Sequence, residues 1–167
     1  GSAKAGLVCD TPVHGVDLMP TFFEMAGAAA PAGHAMDGVS LLPLLGGRRM
    51  AERAVYWYMP FYDLRWGATP CAVVREGEWK LIEYFGDWVD LDTSEYREGH
   101  RLELYRVAKD IGEQKNLAEA EPGRARRMQE KLHAWIRSSG AAVPKENPRH
   151  DRARAFEETR ERPAGAV

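Results

Sequence analysis

The sequence predicts an α+β fold: a small antiparallel β-sheet of about four strands, covered by a C-terminal helix and preceded by shorter helices. Three observations carry this. From Ala54 to Val107 the chain favours β-branched and aromatic residues in short runs between turn signals. From Pro122 to Ser139, the residues Ala125, Met128, Leu132, Trp135 and Ile136 form one apolar stripe at helical spacing. Near the start, Val16, Met19, Phe23 and Ala26 recur with the same period, and Leu18 and Phe22 widen the stripe.

The elements follow in chain order. Residues 12–27 read as an amphipathic helix reached through a turn. Pro20 is tolerated only near the first turn, which places regular helix from about Asp17, and Gly27 is its C-terminal stop. An Ala-Pro-Gly-rich loop runs to Gly38, after which Ser40 caps a short helix through Leu45 that Gly46-Gly47 ends. Strands are expected at 54–58, 72–75, 78–85 and 102–107. The middle pair is joined at Glu76-Gly77, where glycine supplies the positive φ of a tight hairpin. Residues 87–101 are polar and acidic and read as a surface loop. Asp110-Ile111-Gly112-Glu113 has the spacing of a capping box. Pro122 suits the first position of the last helix, Arg137 its last turn and Gly140 its end. From Arg149 onward charge rises and apolar residues thin out, as in a tail or frayed helix.

Composition narrows the partners. The 167 residues can bury one core, a domain with part of another, and Gly1-Ser2 reads as a cloning scar. A hydrophobic fraction of 44% beside 29% charge excludes wholesale disorder. A net charge of −2 gives no basic face for nucleic acid, and no apolar run is long enough to span a bilayer. Cys9 and Cys71 have no metal spacing; two free thiols or one disulfide both fit.

A series of short motifs in fixed order adds a family resemblance. Val16-Asp17-Leu18-Met19-Pro20-Thr21 leads to Ala26-Gly27 and then to Asp37-Gly38-Val39-Ser40-Leu41-Leu42. Tyr56-Trp57-Tyr58 and Arg75-Glu76-Gly77-Glu78-Trp79-Lys80-Leu81-Ile82 follow, then Glu103-Leu104-Tyr105 with Asp110, Glu113, Asn116 and Leu117. Over residues 6–148 that order resembles the C-terminal part of a type I, formylglycine-dependent sulfatase of the arylsulfatase-like branch of the alkaline phosphatase superfamily.

The resemblance implies that residues 1–48 end a large α/β domain, that 49–148 form the smaller C-terminal subdomain, and that 149–167 are a charged tail. It implies a parent enzyme that cleaves a sulfate ester of an aryl or carbohydrate substrate. Formylglycine hydrate would attack sulfur there, and a metal ion, calcium in this family, would stabilise charge on the sulfate oxygens. Nucleophile and metal ligands lie upstream of these motifs, so no catalytic residue, metal ligand or cofactor is assigned within this chain. By itself the piece should be inactive. The expected partner is the missing N-terminal sulfatase domain, or a second copy joined through Leu18, Phe22, Phe23 and Met25. The compartment is open; a periplasmic or secreted parent is compatible. Two other readings fit the same residues: a non-catalytic module that binds sulfated glycans, and a fragment of a related phosphodiesterase or phosphonate hydrolase.

Cys71-Ala72-Val73-Val74-Arg75 copies the outer spacing of the formylglycine signal but has Val73 where a small residue or proline is needed, and it reads as strand. Asp87, Asp90 and Asp92 cluster without the glycine and terminal Glu of a calcium loop, which favours a solvated acidic loop. His14 suits capping, His133 the polar side of the last helix, and Asp17 the start of the first. The segment with a functional claim is 56–67. Relatives carry Tyr-Trp-His-Tyr-Pro-His-Tyr there, and Tyr58 and Phe61 replace the two histidines here. Tyr58, Phe61, Tyr62 and Trp66 can stack on a sugar or aryl ring, and Arg65 can pair with an anionic group.

Overall fold

The structure is a computed structural model that describes residues 3, 5–63, 68–90, 95–145, 147–151 and 154. It divides into two units, Gly1–Val55 and Tyr56–Val167.

In the first unit a 3-10 turn, Gly15–Asp17, runs into helix α1, Leu18–Ala26. His14 caps the turn, its Nδ1 accepting from the Val16 N–H. Regular helix starts one residue later than the spacing predicts, because Asp17 is spent on other contacts. Gly27 ends α1 at φ 63°, and the N–H groups of Gly27 and Ala28 return to the carbonyls of Glu24 and Phe23. A four-residue helix α2, Leu42–Leu45, follows; Ser40 Oγ accepts from the Leu42 N–H, and Leu41 occupies the cap position.

Asp17 is fully buried and joins three segments. Its Oδ2 accepts the His14 N–H at 2.8 Å and pairs with the Arg53 guanidinium, while its Oδ1 accepts the Val39 N–H at 3.0 Å. Thr21 continues the seam: its hydroxyl donates to the Asp17 carbonyl and accepts the Leu41 N–H. Asp17 is therefore more than the helix start that the sequence suggests. Burial alone would raise its carboxyl, but hydrogen bonds from Arg53 and from the His14 and Val39 backbone outweigh that and hold it below the usual carboxylate range. Gly38 lets the segment at Val39 come this close; a Cβ there would strike the Val16 carbonyl and the Asp17 nitrogen.

The second unit is built on a four-stranded antiparallel sheet in the order β1-β2-β3-β6. The strands are β1 Ala54–Met59, β2 Cys71–Glu76, β3 Trp79–Tyr84 and β6 Arg101–Arg106. Gly77, at φ 54°, makes the β2–β3 turn as the sequence predicts. Between β3 and β6 the chain forms a two-stranded hairpin, β4 Trp88–Asp90 and β5 Glu95–Arg97, where a surface loop was expected. Helix α3, Pro122–Ser139, has the predicted bounds, with Pro122 in its first turn and Gly140 at φ 67° after its end.

Strand register explains the core. Ala72 pairs with Glu83, Val74 with Leu81, and Leu81 with Leu104, so these side chains share one sheet face. Ala72, Val74, Leu81 and Leu104 are completely enclosed, and α3 turns Ala125, Met128, Leu132 and Ile136 inward. Trp135 joins by stacking on Tyr56 at 4.8 Å. On the opposite face Ile82, Tyr105 and Val107 form a second cluster, flanked by Cys71, Val73 and Tyr84.

The Asp110–Glu113 segment corrects the expected capping box. Asp110 accepts the N–H groups of Gln114 and Lys115, while Glu113 sits at φ 54° and sends its carboxylate to Lys80 at 2.7 and 2.8 Å. Asn116 then imitates a neighbouring strand along β6, accepting from Leu104 N–H and donating to the Leu102 carbonyl. No helix among the described residues is long and apolar enough to cross a membrane.

Candidate functional site

Two long connections leave the same end of the sheet, because antiparallel order brings the end of β1, the start of β2, the end of β3 and the start of β6 together. They are residues 60–70 and 85–100. Short polar contacts tie their bases. Thr69 Oγ1 donates to the Asp87 carbonyl at 2.5 Å, and the Gly99 N–H donates to Asp87 Oδ1 at 2.7 Å. The Phe85 N–H reaches the Pro70 carbonyl, and Asp63 and Ala68 exchange backbone bonds. Asp87, one of the acidic trio, thus anchors a loop; Asp92 lies outside the described residues.

The residues predicted to bind substrate separate into groups. Phe61 and Tyr62 are exposed, at 57% and 50%. The Tyr62 hydroxyl lies against Gly86, a position with no room for a Cβ; burial of the phenol and the nearby Asp87 charge push it above the usual tyrosine range. Tyr58 is half-buried instead. Its ring meets Phe85 edge-on and its hydroxyl donates to the Ala142 carbonyl at 3.0 Å, so it also holds the chain leaving α3. Arg65 and Trp66 lie outside the described residues. Trp57, on the other face of β1 and 42% exposed, adds an aromatic side chain to this edge that was not singled out from sequence.

At the start of β6, Arg101 packs against two rings. Its guanidinium carbon lies 3.7 Å from the Tyr84 ring centre and 3.8 Å from that of Trp88. Its Nε donates to Glu103 Oε1 at 3.0 Å, and Glu103 Oε2 accepts the Tyr105 hydroxyl at 3.0 Å. Burial, then the Glu103 charge, raises Tyr105 far above an ordinary phenol. The signal for Arg101 was latent in the register, where Tyr84 and Arg101 are cross-strand partners.

A second group missed from sequence is centred on Glu83, which is buried on β3 beneath α3. Gln129 Nε2 and His100 Nε2 reach its Oε1, both at 2.8 Å, and His133 Nε2 reaches its Oε2 at 2.6 Å. Facing a carboxylate, each imidazole presents its Nε2–H. His133 is therefore on the sheet side of α3, not its polar side. The alternation of β3 hinted at this, since Glu83 falls in phase with Leu81.

These groups supply stacking surfaces and fixed charges but no assembled nucleophile. Cys71 is a free thiol on a strand, and burial raises it above the ordinary thiol value, contrary to what a reactive thiolate needs. Among the described residues no three His, Cys, Asp or Glu side chains gather to hold a metal ion, so this donor set does not fit calcium.

Comparison with known proteins places the architecture. A family profile described as N-sulphoglucosamine sulphohydrolase, C-terminal, matches residues 1–139. A Delta 4,5-hexuronate-2-O-sulfatase of Bacteroides thetaiotaomicron is 35% identical over 104 residues, covering 62% of this chain and 19% of that protein. A sulfatase of Formosa agariphila is 31% identical over 143 residues, covering 77% of this chain and 24% of that protein. A solved Bacteroides thetaiotaomicron structure, described with the metabolism of multiple glycosaminoglycans, aligns with a TM-score of 0.52 at 20% identity. It covers 71% of this chain and 24% of that one. The chain therefore spans about a quarter or less of these relatives.

Proposed function

Because the chain belongs to the N-sulphoglucosamine sulphohydrolase C-terminal family and corresponds to the C-terminal portion of a sulfatase, we propose that it forms the outer wall of a substrate opening in a sulfuric ester hydrolase. One observation supports the placement most directly. Both long connections leave a single end of the sheet; one carries exposed Phe61 and Tyr62, and the other carries Gly86, which the Tyr62 hydroxyl meets, and Trp88, on which Arg101 lies. Flat aromatic faces suit the apolar side of a sugar or an aryl ring.

In this reading the formylglycine nucleophile and calcium belong to residues outside this chain, and no chemical step runs through the side chains here. Their work is to bind and orient the ester. The apolar face of α1 would pack on the portion that carries the nucleophile. The similarity to a hexuronate sulfatase favours a sulfated carbohydrate over a simple aryl ester.

The test compares this chain with the intact sulfatase that contains it. The chain alone should release no sulfate from 4-nitrophenyl sulfate or from a sulfated disaccharide; the intact protein should. In the intact protein, Phe61→Ala and Tyr62→Ala should each raise KM for the disaccharide by about three- to tenfold with kcat little changed, as expected for lost uniform binding. Sulfate release by the purified chain, or unchanged KM in both variants, would refute the assignment.

A further inference from the structure

We propose that Arg101 is a positioning residue that locks the β4–β5 hairpin to the end of the sheet and so fixes the shape of the opening beside it. The inference rests on the reading above for the opening and what it binds, but not for the lock itself.

The hairpin needs an external hold. Its strands are three residues each and, among the described residues, pair with one another in a sheet separate from the main one. Two-stranded ribbons of that size are marginal in water. The guanidinium of Arg101 supplies a hold by lying on Trp88 of β4 and on Tyr84 of β3 at once, which links hairpin to sheet through one planar cation. Glu103 on β6 fixes the orientation of that plane through the Nε bond, and Tyr105 fixes Glu103. A guanidinium suits such a place, whereas a strongly hydrated ammonium does not. Asp87 steadies the base of the same hairpin by accepting the Gly99 N–H across its two legs.

Amide hydrogen exchange on this chain tests the lock. In Arg101→Met, amides of residues 88–90 and 95–97 should exchange about tenfold faster, and Arg101→Lys should fall between, while β2 and β3 keep the wild-type rate. Tyr105→Phe, which spares both ring contacts, should leave the hairpin slower than Arg101→Met does. Unchanged hairpin exchange in Arg101→Met overturns the proposal. So does equal acceleration across β2 and β3, because Arg101 would then merely stabilise the sheet.

Kinetics of the intact sulfatase test the consequence. Arg101→Met should raise KM for a sulfated disaccharide about tenfold and leave kcat within about twofold, with partial recovery in Arg101→Lys. A drop in kcat at constant KM overturns it. If the unaltered intact protein turned over no sulfate ester, the functional assignment would fail, and the exchange rates alone would decide for or against the lock.

Discussion

Asp17 and Glu83 each place a carboxylate where hydrophobic side chains usually sit, and each is satisfied by partners far away in sequence. Arg53 lies 36 positions from Asp17; Gln129 and His133 lie 46 and 50 positions from Glu83. Arg53→Leu leaves the buried Asp17 carboxylate with the His14 and Val39 N–H groups but without its countercharge, so it should destabilise the first unit by about 2–4 kcal/mol in urea unfolding. The pH dependence follows from the direction of the Asp17 shift. A carboxyl depressed in the folded chain contributes its full stability above its unfolded value of about 3.9, and loses it as pH falls through the lower folded value. The stability gap between wild type and Asp17→Asn should therefore be widest above pH 5 and shrink below about pH 4. A gap that grows on acidification would contradict the pairing. Gly38→Ala belongs with these: its Cβ would meet backbone, which cannot swing aside, so the variant should unfold in less urea.

At the scale of elements, α3 and the β2–β3 hairpin were legible because their signals are local. Pro122, Gly140, Gly77 and the stripe through Leu132 all lie within the element they define or directly at its end. Leu132 is completely enclosed, and Leu132→Ala should cost about 2–5 kcal/mol in denaturant unfolding, by lost transfer energy and the cavity left behind. The β4–β5 hairpin was illegible for the converse reason. Its strands are too short for an alternation to register, and the contact that holds Trp88 comes from Arg101, beyond the hairpin's own strands. The candidate site divides the same way. Exposed Phe61 and Tyr62 announce themselves in an aromatic run, whereas the structural duty of Tyr58 depends on Ala142, which composition cannot reveal.

For the whole molecule, the informative surface is on α1. Leu18, Met19, Phe22 and Met25 are each half exposed or more, though Phe23, grouped with them from sequence, is only half-buried. A helix face of this kind belongs against another body. Sedimentation of the isolated chain should show concentration-dependent association, and Phe22→Ser with Met25→Ser should shift it toward monomer. Monomeric behaviour of the unaltered chain at high concentration would argue that this face needs no partner.

Asn116 has a further consequence. By taking the Leu102 carbonyl and the Leu104 N–H, while the Leu117 N–H takes the Leu104 carbonyl, Asn116 and the residue after it cover the middle of the β6 margin against an incoming strand. Growth of the sheet into fibrils should thereby be opposed on that flank, in addition to the charges of Arg101, Glu103 and Arg106 along the strand. Asn116→Ala would unseal the flank, and thioflavin-positive aggregates should form sooner on mild heating than in the parent sequence.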